Sequence, residues 1–487
     1  MGRRKSHEKR VDRSYGVLPF VLEEVEGESS VTPRAGLLAL AELARAMGLP
    51  QVAEREIAIK VRERGFTEWE FIESYVLLMA GGGECPEDLA VLGADRAFVR
   101  LLGHAIPSAS AGRKFLYAFQ DAQQAERDKK QRELIPSYVP GETAELMGLG
   151  RVCRQVVRAA QVSRPERVAT LDQDTTIIES SKEEAAWTYQ GVKGYQPMTV
   201  LWVEQDVVVA EEFRDGNVPA DCEPLRVVRS AFEALPPGVE QVYYRGDTAS
   251  YNHDLLNWLR EQDAQTGRPR AVFGISADMS PELRKATAAA PGWHPDPADP
   301  CRSWAEVDFV PSGPSVKKGR KPDRYLGIRL VPRQKELFAD GGEVKYFAVV
   351  TNDFERDGLE VIHWQRQKAG TIEHLQDVLK NELAAGVMPC GRFEANGAWF
   401  RLNVLAYNLL SVFRRTALPK ELERARPKRL RFLVFALAAT VLSHARQLTA
   451  RVVQCVEDVV VRLAVVRRRI WQQTPAWEKA LMSLDTS

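Results

Sequence analysis

The segment VATLDQDTTII, residues 168–178, marks the point where the chain changes from a helical to a strand-like pattern. Its β-branched residues alternate with other residue types, as is typical of a strand, and this alternation puts Asp172 and Asp174 on one face. The strand-like stretches PMTVLWVE and VVVAEEF come next and are separated by the polar pair Gln205–Asp206. Together the two stretches predict a hairpin that follows the first strand.

Downstream of the hairpin, helical and strand-like patterns alternate. The predicted elements are a helix from about Ala220 to Leu235, the strand QVYYRG leading into Asp247, a helix from about Asn252 to Glu261 and the strand AVFGIS. The resulting order, β-β-β-α-β-α-β, is a meander followed by crossovers and differs from the regular alternation of a Rossmann sheet. In a mixed sheet of this order, the first and fourth strands are expected to be neighbours.

Composition and periodicity divide the rest of the chain. The predicted units are a basic flexible arm (1–34), a helical DNA-binding domain (35–160), the first part of an α/β core (161–276), a β-rich insertion domain (277–368), the second part of the core with its catalytic helix (369–412) and a basic helical C-terminal region (413–487). The helical domain could contain a helix-turn-helix or simply pack as helices, and the sequence leaves open which helix would read DNA.

The overall composition is that of a soluble globular protein. The chain has 487 residues, of which 45% are hydrophobic and 27% are charged, enough for roughly three domains. The longest apolar stretch, Phe432 to Leu442, is too short to span a bilayer, and the N-terminus lacks the apolar region of a secretory signal. The six cysteines form no CxxC pair, so a disulfide framework or a zinc finger is not expected.

Basic residues are concentrated in places although the net charge is only +1. Residues 413–470 contain 14 Lys and Arg against 4 Asp and Glu. A second cluster is formed by Lys317, Lys318, Arg320, Lys321 and Arg324, and a third lies in the N-terminal arm. Separated basic clusters suit a protein that contacts phosphates at several places, although each cluster by itself could be solvated surface.

Three carboxylates stand out by their positions. Asp174 lies at the end of the first strand, Asp247 at the end of the fourth, and Glu373 on the helix TIEHLQDVLKNELAAG after the insertion. Three converging carboxylates repel one another unless a cation lies between them, and oxygen ligands favour Mg²⁺ or Mn²⁺. Two such ions can drive phosphodiester chemistry. The alternatives are ordinary surface charges, or Asp172 in place of Asp174, since the two share a face.

These segments carry a family resemblance. The blocks LDQDTT, YYRGDTASY and TIEHLQDVLK with FEANGAWFRLNVLAYNLL resemble those of bacterial insertion-sequence DDE transposases, with the insertion-sequence family thirteen-eighty as the nearest match. GVKGYQPMTVLWVE and EEFRDGNVPA are also similar to blocks of that family. The resemblance covers about Arg167 to Phe413. It implies an α/β fold in which a ribonuclease H-like core is interrupted by a β-rich insertion and flanked by helical N- and C-terminal regions.

The resemblance also implies roles for individual residues. Asp174, Asp247 and Glu373 would be the catalytic carboxylates and would bind Mg²⁺ or Mn²⁺, with two ions per site. Lys380, Arg366 and Lys368, together with Lys317, Lys318, Arg320 and Lys321 of the insertion, would contact DNA. Trp293 and Trp304 are candidates for stacking on a flipped base. Trp364 replaces the tyrosine that related transposases place before the glutamate, which leaves their phosphate clamp undefined here.

The implied function is cut-and-paste DNA transposition. The partners would be the terminal inverted repeats and target DNA, bound by a homodimer in the bacterial cytoplasm at the nucleoid, with no membrane contact. No Walker A or GxGxxG motif follows a strand, so no nucleotide cofactor is expected. Two alternatives remain: a nuclease of the same fold without strand transfer, and a non-catalytic DNA-binding protein derived from a transposase. A glycosidase using two carboxylates is a remote third.

Overall fold

The computed structural model describes residues 30–60, 64–263, 270–311, 322–331, 344–444, 447–452 and 463–482. Most of the predicted basic arm, and Lys317, Lys318, Arg320 and Lys321, lie outside the described residues. The strands are β1 (Val31–Thr32), β2 (Val168–Thr175), β3 (Ile178–Glu179), β4 (Ala186–Trp187), β5 (Lys193–Tyr195), β6 (Met198–Trp202), β7 (Val207–Glu212), β8 (Gln241–Gly246), β9 (Arg270–Ser276), β10 (His294–Asp296), β11 (Asp299–Val307), β12 (Arg324–Leu330), β13 (Lys345–Thr351), β14 (Ala439–His444) and β15 (Gln447–Val452).

Helices flank these strands at both ends of the chain and between them. The α-helices are α1 (Leu37–Ala46), α2 (Leu49–Glu56), α3 (Glu68–Gly81), α4 (Leu89–Ala94), α5 (Arg96–Leu102), α6 (Ala109–Tyr117), α7 (Ala122–Leu134), α8 (Ala144–Ser163), α9 (Pro224–Ala234), α10 (His253–Asp263), α11 (Pro281–Ala288), α12 (Gly358–Arg366), α13 (Lys368–Asn381), α14 (Phe393–Thr416), α15 (Pro427–Leu430) and α16 (Leu463–Met482). Short helical turns occur at Pro86–Asp88, Thr248–Ser250, Lys420–Leu422 and Arg431–Phe435. No helix in the described ranges has the length and apolar character needed to cross a membrane.

The central sheet has nine strands in the order β10-β11-β12-β13-β9-β8-β2-β6-β7. β2 pairs in parallel with β8, and β8 in parallel with β9, whereas β6 and β7 complete an antiparallel meander with β2. The predicted order β-β-β-α-β-α-β is therefore confirmed, as is the expectation that the first and fourth strands are neighbours. Because β2 lies inside a sheet with helices packed against it, its central residues are buried on both faces.

The strands of the predicted insertion extend this central sheet. β13 pairs with β9, and β12, β11 and β10 follow outward as antiparallel neighbours. The sequence predicted the strands but did not indicate that they join the core. A second hydrophobic cluster beneath them contains Trp304, Leu326 and Ile362, so this part of the sheet has its own apolar support.

The N-terminal helices share one hydrophobic core with the sheet. α3 begins with a capping box in which Thr67 accepts from the backbone of Glu70 and Glu70 accepts from the backbone of Thr67, as the sequence predicts. Helix α14 is buried along nearly its whole length, which confirms the interpretation of FEANGAWFRLNVLAYNLL as a buried helix. Its Asn408 exchanges two hydrogen bonds with the backbone of Val208 on edge strand β7.

The C-terminal region is not wholly helical, and here the prediction is wrong. Strands β14 and β15 form a hairpin, and β14 pairs with β1 near the other end of the described chain. β1 lies within the stretch predicted as a flexible arm. A pairing between Val31 and Thr440 depends on tertiary contact across the whole chain, and local periodicity does not report it.

Candidate active site

The carboxyl ends of the neighbouring strands β2 and β8 bring carboxylate and guanidinium side chains to one edge of the sheet. The parallel register pairs Asp172 with Arg245, so Asp174 and Asp247 each follow two residues further along. Asp174 is on the last part of β2, and Asp247 comes directly after β8. Their carboxylates lie beside each other, with both Oδ2 atoms within 4 Å of the same Lys368 ammonium. The structure therefore brings together two of the three predicted carboxylates.

Asp172 has a different partner and is not available for the same role. Arg245 donates from Nε to Asp172 Oδ1 at 2.6 Å and from Nη2 to Oδ2 at 2.8 Å. The Asp172 side chain is 0% exposed and that of Arg245 is 3% exposed. Thr371 of α13 also donates to Asp172, and Arg245 Nη1 donates to the Trp364 carbonyl at 2.9 Å. This ion pair therefore joins β2, β8, α12 and α13 behind the candidate site.

The opposite face of the same strand pair is held by neutral hydrogen bonds. The Tyr244 hydroxyl donates to Gln173 Oε1 at 2.6 Å and lies 3.1 Å from the Ser250 hydroxyl oxygen. Gly246 allows Ser250 to come this close, because a Cβ at residue 246 would lie 2.4 Å from the Ser250 Cβ. The short turn Thr248–Ser250 thus folds back onto β8 and fixes Asp247, whose carboxylate accepts from the Ala249 backbone.

The two site aspartates share one ammonium group. Lys368 Nζ lies 3.5 Å from Asp174 Oδ2 and 3.8 Å from Asp247 Oδ2, with its side chain 9% exposed. Burial raises the pKa of Asp174 to about 6; the Lys368 ammonium works against this rise, and the Asp247 carboxylate adds to it. Asp174 Oδ1 also accepts from the Thr175 backbone at 2.9 Å. The pair is thus a partly buried anionic centre with an internal cation.

Helix α13, which carries Glu373, lies over the end of β2. Gln376 of this helix donates to the Thr175 carbonyl at 3.2 Å. Glu373 is exposed, one helical turn before Gln376. Across the described ranges, no three His, Cys, Asp or Glu side chains are grouped closely enough to hold a metal ion, so Glu373 stands apart from the two aspartates in this conformation.

The donor chemistry of the site fits a divalent cation. Asp174 and Asp247 offer hard oxygen ligands, and both present Oδ2 toward the same cationic group. Mg²⁺ and Mn²⁺ prefer such carboxylate oxygens, and one or two protein carboxylates are usual when a substrate supplies further oxygens. Glu373 would add a third carboxylate from α13. Asp174 and Asp247 are therefore the residues that could hold a metal ion here, and the role of Glu373 stays a prediction.

The other predicted basic residues lie on α12 and α13. Arg366 is exposed and Lys380 is half-buried, and contact with a DNA phosphate stays a prediction for both. Trp364 packs against the guanidinium of Arg356, which lies 4.5 Å from the centre of its ring. Gly274 on β9 leaves room for that ring, since a Cβ there would lie 2.7 Å from it. Trp364 therefore supports the site from behind.

The predicted stacking residues lie in the sheet extension. Trp304 is 8% exposed, belongs to the second hydrophobic cluster, and has the His294 ring 5.1 Å from its own. It would have to leave that cluster to stack on a base. Trp293 is half-buried, and the Arg329 guanidinium lies over its ring at 4.6 Å. A stacking role for either residue stays a prediction.

Two exposed aromatic residues that follow Asp174 along the chain were not singled out by the sequence. Trp187 is 63% exposed and Tyr189 is 77% exposed. They lie on and just after β4, in the small sheet β3-β5-β4 that follows Asp174. The only signal in the sequence is that the segment AWTYQGVKG has aromatic residues next to turn-forming ones. Exposed aromatic rings of this kind are suited to stacking on bases.

Comparison with known proteins points to one family. The family model described as "Transposase DDE domain group 1" matches residues 21–277 and 328–468. No protein with a curated description matches the chain. Among solved structures, a cryo-electron-microscopy structure of the piggyBac transposase synaptic complex with hairpin DNA is similar, with 10% identity, a TM-score of 0.43 and coverage of 92% of this chain and 81% of that chain.

Proposed function

The chain belongs to the family of transposase DDE domains of group 1, and on that basis we propose that it is a cut-and-paste DNA transposase with Asp174, Asp247 and Glu373 as catalytic carboxylates. The observation that carries the proposal is the meeting of Asp174 and Asp247 at the ends of two adjacent parallel strands. Members of this family generally use divalent metal ions. The order β7-β6-β2-β8-β9, with three antiparallel and two parallel strands, supports the further proposal that the core is ribonuclease H-like.

In the proposed reaction, the protein first hydrolyses one strand at each transposon end and frees a 3′ hydroxyl. The second strand is then cut as well, which releases the element, and the 3′ hydroxyl is finally joined to target DNA. A bound divalent cation supplies activation of the attacking oxygen and stabilisation of the leaving oxygen. The Asp172–Arg245 ion pair behind the site would hold the carboxylates of Asp174 and Asp247 in place. Arg366 and Lys380 would bind backbone phosphates, and Trp187 and Tyr189 would stack on bases beside the cut.

The test is metal-dependent nicking of duplex DNA that carries the inverted repeats flanking the gene. Asp174→Asn, Asp247→Asn and Glu373→Gln should each abolish nicking in Mg²⁺ or Mn²⁺ while binding to the same DNA is retained. Asp377→Asn is the matched control, because Asp377 lies on the same helix as Glu373 but pairs with Arg426. Full nicking by Glu373→Gln would remove that residue from the proposed set.

Two further assays separate the alternatives. Pre-cut ends with a free 3′ hydroxyl should be joined to a target plasmid; cutting without joining would identify a nuclease. Binding to the repeats without cutting in either metal would instead identify a non-catalytic DNA-binding protein. The proposed assembly, a homodimer holding two ends, would appear as a complex with two DNA molecules by light scattering.

A further inference from the structure

Lys368 occupies the position between the two aspartates that a cation would need. It is the first residue of α13, and its ammonium lies within 4 Å of Oδ2 of both Asp174 and Asp247. In the part of the chain that the structure describes, it is the one basic side chain paired with either carboxylate. The Oδ2 atoms of Asp174 and Asp247, which a divalent cation would bind, are therefore already paired with Lys368.

This arrangement makes an ammonium and a divalent cation alternatives to each other. Two adjacent carboxylates with a single lysine carry a net charge of −1, so the lysine lowers but does not remove their attraction for cations. A protonated amine has no lone pair with which to ligate a metal, and it repels one at short range. A divalent cation can reach both Oδ2 atoms only if the Lys368 ammonium moves away.

The proposed movement of the ammonium need not displace the helix. Lys368 has a flexible four-carbon side chain, and its neighbours Gln367, Ala369 and Gly370 are exposed. Helix α13 is anchored separately, by the bond of Thr371 to Asp172 and that of Gln376 to the Thr175 carbonyl. The exchange is therefore a change of side-chain rotamer.

We propose that Lys368 is an internal counter-ion of the Asp174–Asp247 pair that a divalent cation must displace, so that metal binding and release of the lysine are coupled. This inference rests on the proposed role of the two aspartates as metal ligands. The released ammonium lies at the edge of the site, where a DNA phosphate is the anion able to receive it. DNA therefore strengthens metal binding in the wild-type protein by stabilising the displaced lysine.

The experiment measures Mn²⁺ binding to the full chain without DNA by isothermal titration calorimetry. Lys368→Met removes the competing charge and should bind Mn²⁺ at least about tenfold more tightly, which corresponds to about 1.4 kcal/mol. Lys368→Arg keeps the charge and should stay close to wild type. Lys285→Met, which removes an exposed lysine on α11, is the control for loss of one charge elsewhere and should leave the affinity unchanged.

A second measurement guards against misfolding of the variant. In EDTA, Lys368→Met should melt at a lower temperature than wild type, because the two carboxylates then lie together without a counter-ion, and Mn²⁺ should raise its melting temperature by more than it raises that of wild type. A duplex carrying the inverted repeats should tighten Mn²⁺ binding to wild type but have less effect on the variant.

The outcomes distinguish this inference from the function on which it rests. Equal or weaker Mn²⁺ binding by Lys368→Met, with binding lost in Asp174→Asn and Asp247→Asn, would overturn the counter-ion role and leave the metal site intact. Wild-type Mn²⁺ binding by both aspartate variants would overturn the metal-ligand role itself, and the inference with it. Tighter binding by Lys368→Met alone among the lysine variants supports the proposal.

Discussion

Replacing Arg245 should destabilise the protein and disturb the geometry of the candidate site. Arg245→Met keeps a long side chain in the space behind the strands but takes away the only guanidinium bonded to Asp172 among the described residues. The Asp172 carboxylate, 0% exposed, would be left with the Thr371 hydroxyl. Since β2, β8 and α13 are joined at this point, loss of the pair should disturb the positions of Asp174 and Asp247 together.

The magnitude follows from the burial and the geometry of the pair. Arg245 makes two charge-assisted hydrogen bonds to Asp172, at 2.6 and 2.8 Å, and both side chains are almost fully excluded from solvent. Breaking a buried ion pair by removing one partner costs about 3–5 kcal/mol, because a charge stays buried without its counter-ion. Replacing both partners by apolar residues, Asp172→Leu with Arg245→Met, leaves no buried charge. The double variant should therefore recover at least about 2 kcal/mol relative to the sum of the single variants.

Urea unfolding gives the free energies, with tryptophan fluorescence and circular dichroism compared to check that the transition is two-state. Arg226→Met is the control: Arg226 pairs with Glu212 at 2.7 Å but is 43% exposed, so it should cost about 1 kcal/mol or less. Additive costs in the double variant, or a cost for Arg245→Met no larger than that of the control, would refute the reasoning.

Three further predictions concern stability and DNA contact. Burial lowers the pKa of His104, but the hydrogen bonds to Glu73 and to the Ala105 carbonyl, together with the Glu73 and Glu70 charges, raise it overall. The stabilising effect of His104 is therefore present below the unfolded value near 6.5 and is lost as pH rises, and Glu73→Gln should flatten the fall in melting temperature above pH 6.5. Burial raises the pKa of Asp215 to about 6, so ionisation of this carboxyl destabilises the fold as pH rises from about 4 to 6. Asp215→Asn should therefore remove the fall in melting temperature that this ionisation causes over the same pH range. Trp187→Ala and Tyr189→Ala should each weaken DNA binding by about 1–3 kcal/mol in fluorescence anisotropy without changing the melting temperature; unchanged affinity would contradict the stacking role.

Local sequence predicted those parts of the fold that local interactions determine. The capping box at Thr67, the meander through β2, β6 and β7 and the buried helix α14 all follow from side-chain periodicity and turn residues. The β1–β14 pairing and the joining of β13 to β9 could not be predicted, because strand pairing between distant segments depends on which edges remain unpaired after the core has formed. The two- and three-residue strands β3 to β5 are too short to leave a periodic pattern.

The sequence also predicted those parts of the candidate site that depend on strand pattern, but not those that depend on tertiary packing. Asp174 and Asp247 follow from alternation and strand order. Lys368 was predicted only as a DNA contact, because a lysine at the start of a polar helix is usually solvated. Its place between two carboxylates depends on how α13 crosses β2, which is a property of tertiary packing. The distance of Glu373 from the pair depends on the same packing.

Strand periodicity alone cannot tell which of Asp172 and Asp174 is the candidate ligand, but the register with the neighbouring parallel strand can. Both residues point to one face of β2, so alternation treats them as equivalent. The neighbouring strand β8 distinguishes them, because it places Arg245 opposite Asp172 and Asp247 follows two residues later. The inner carboxylate is neutralised by a guanidinium and becomes part of the framework, while the outer one lies beside another carboxylate and shares a single ammonium with it. An aspartate in an LDQD segment is therefore a candidate ligand when the parallel neighbour places an acid beside it, and a structural residue when that neighbour places a base.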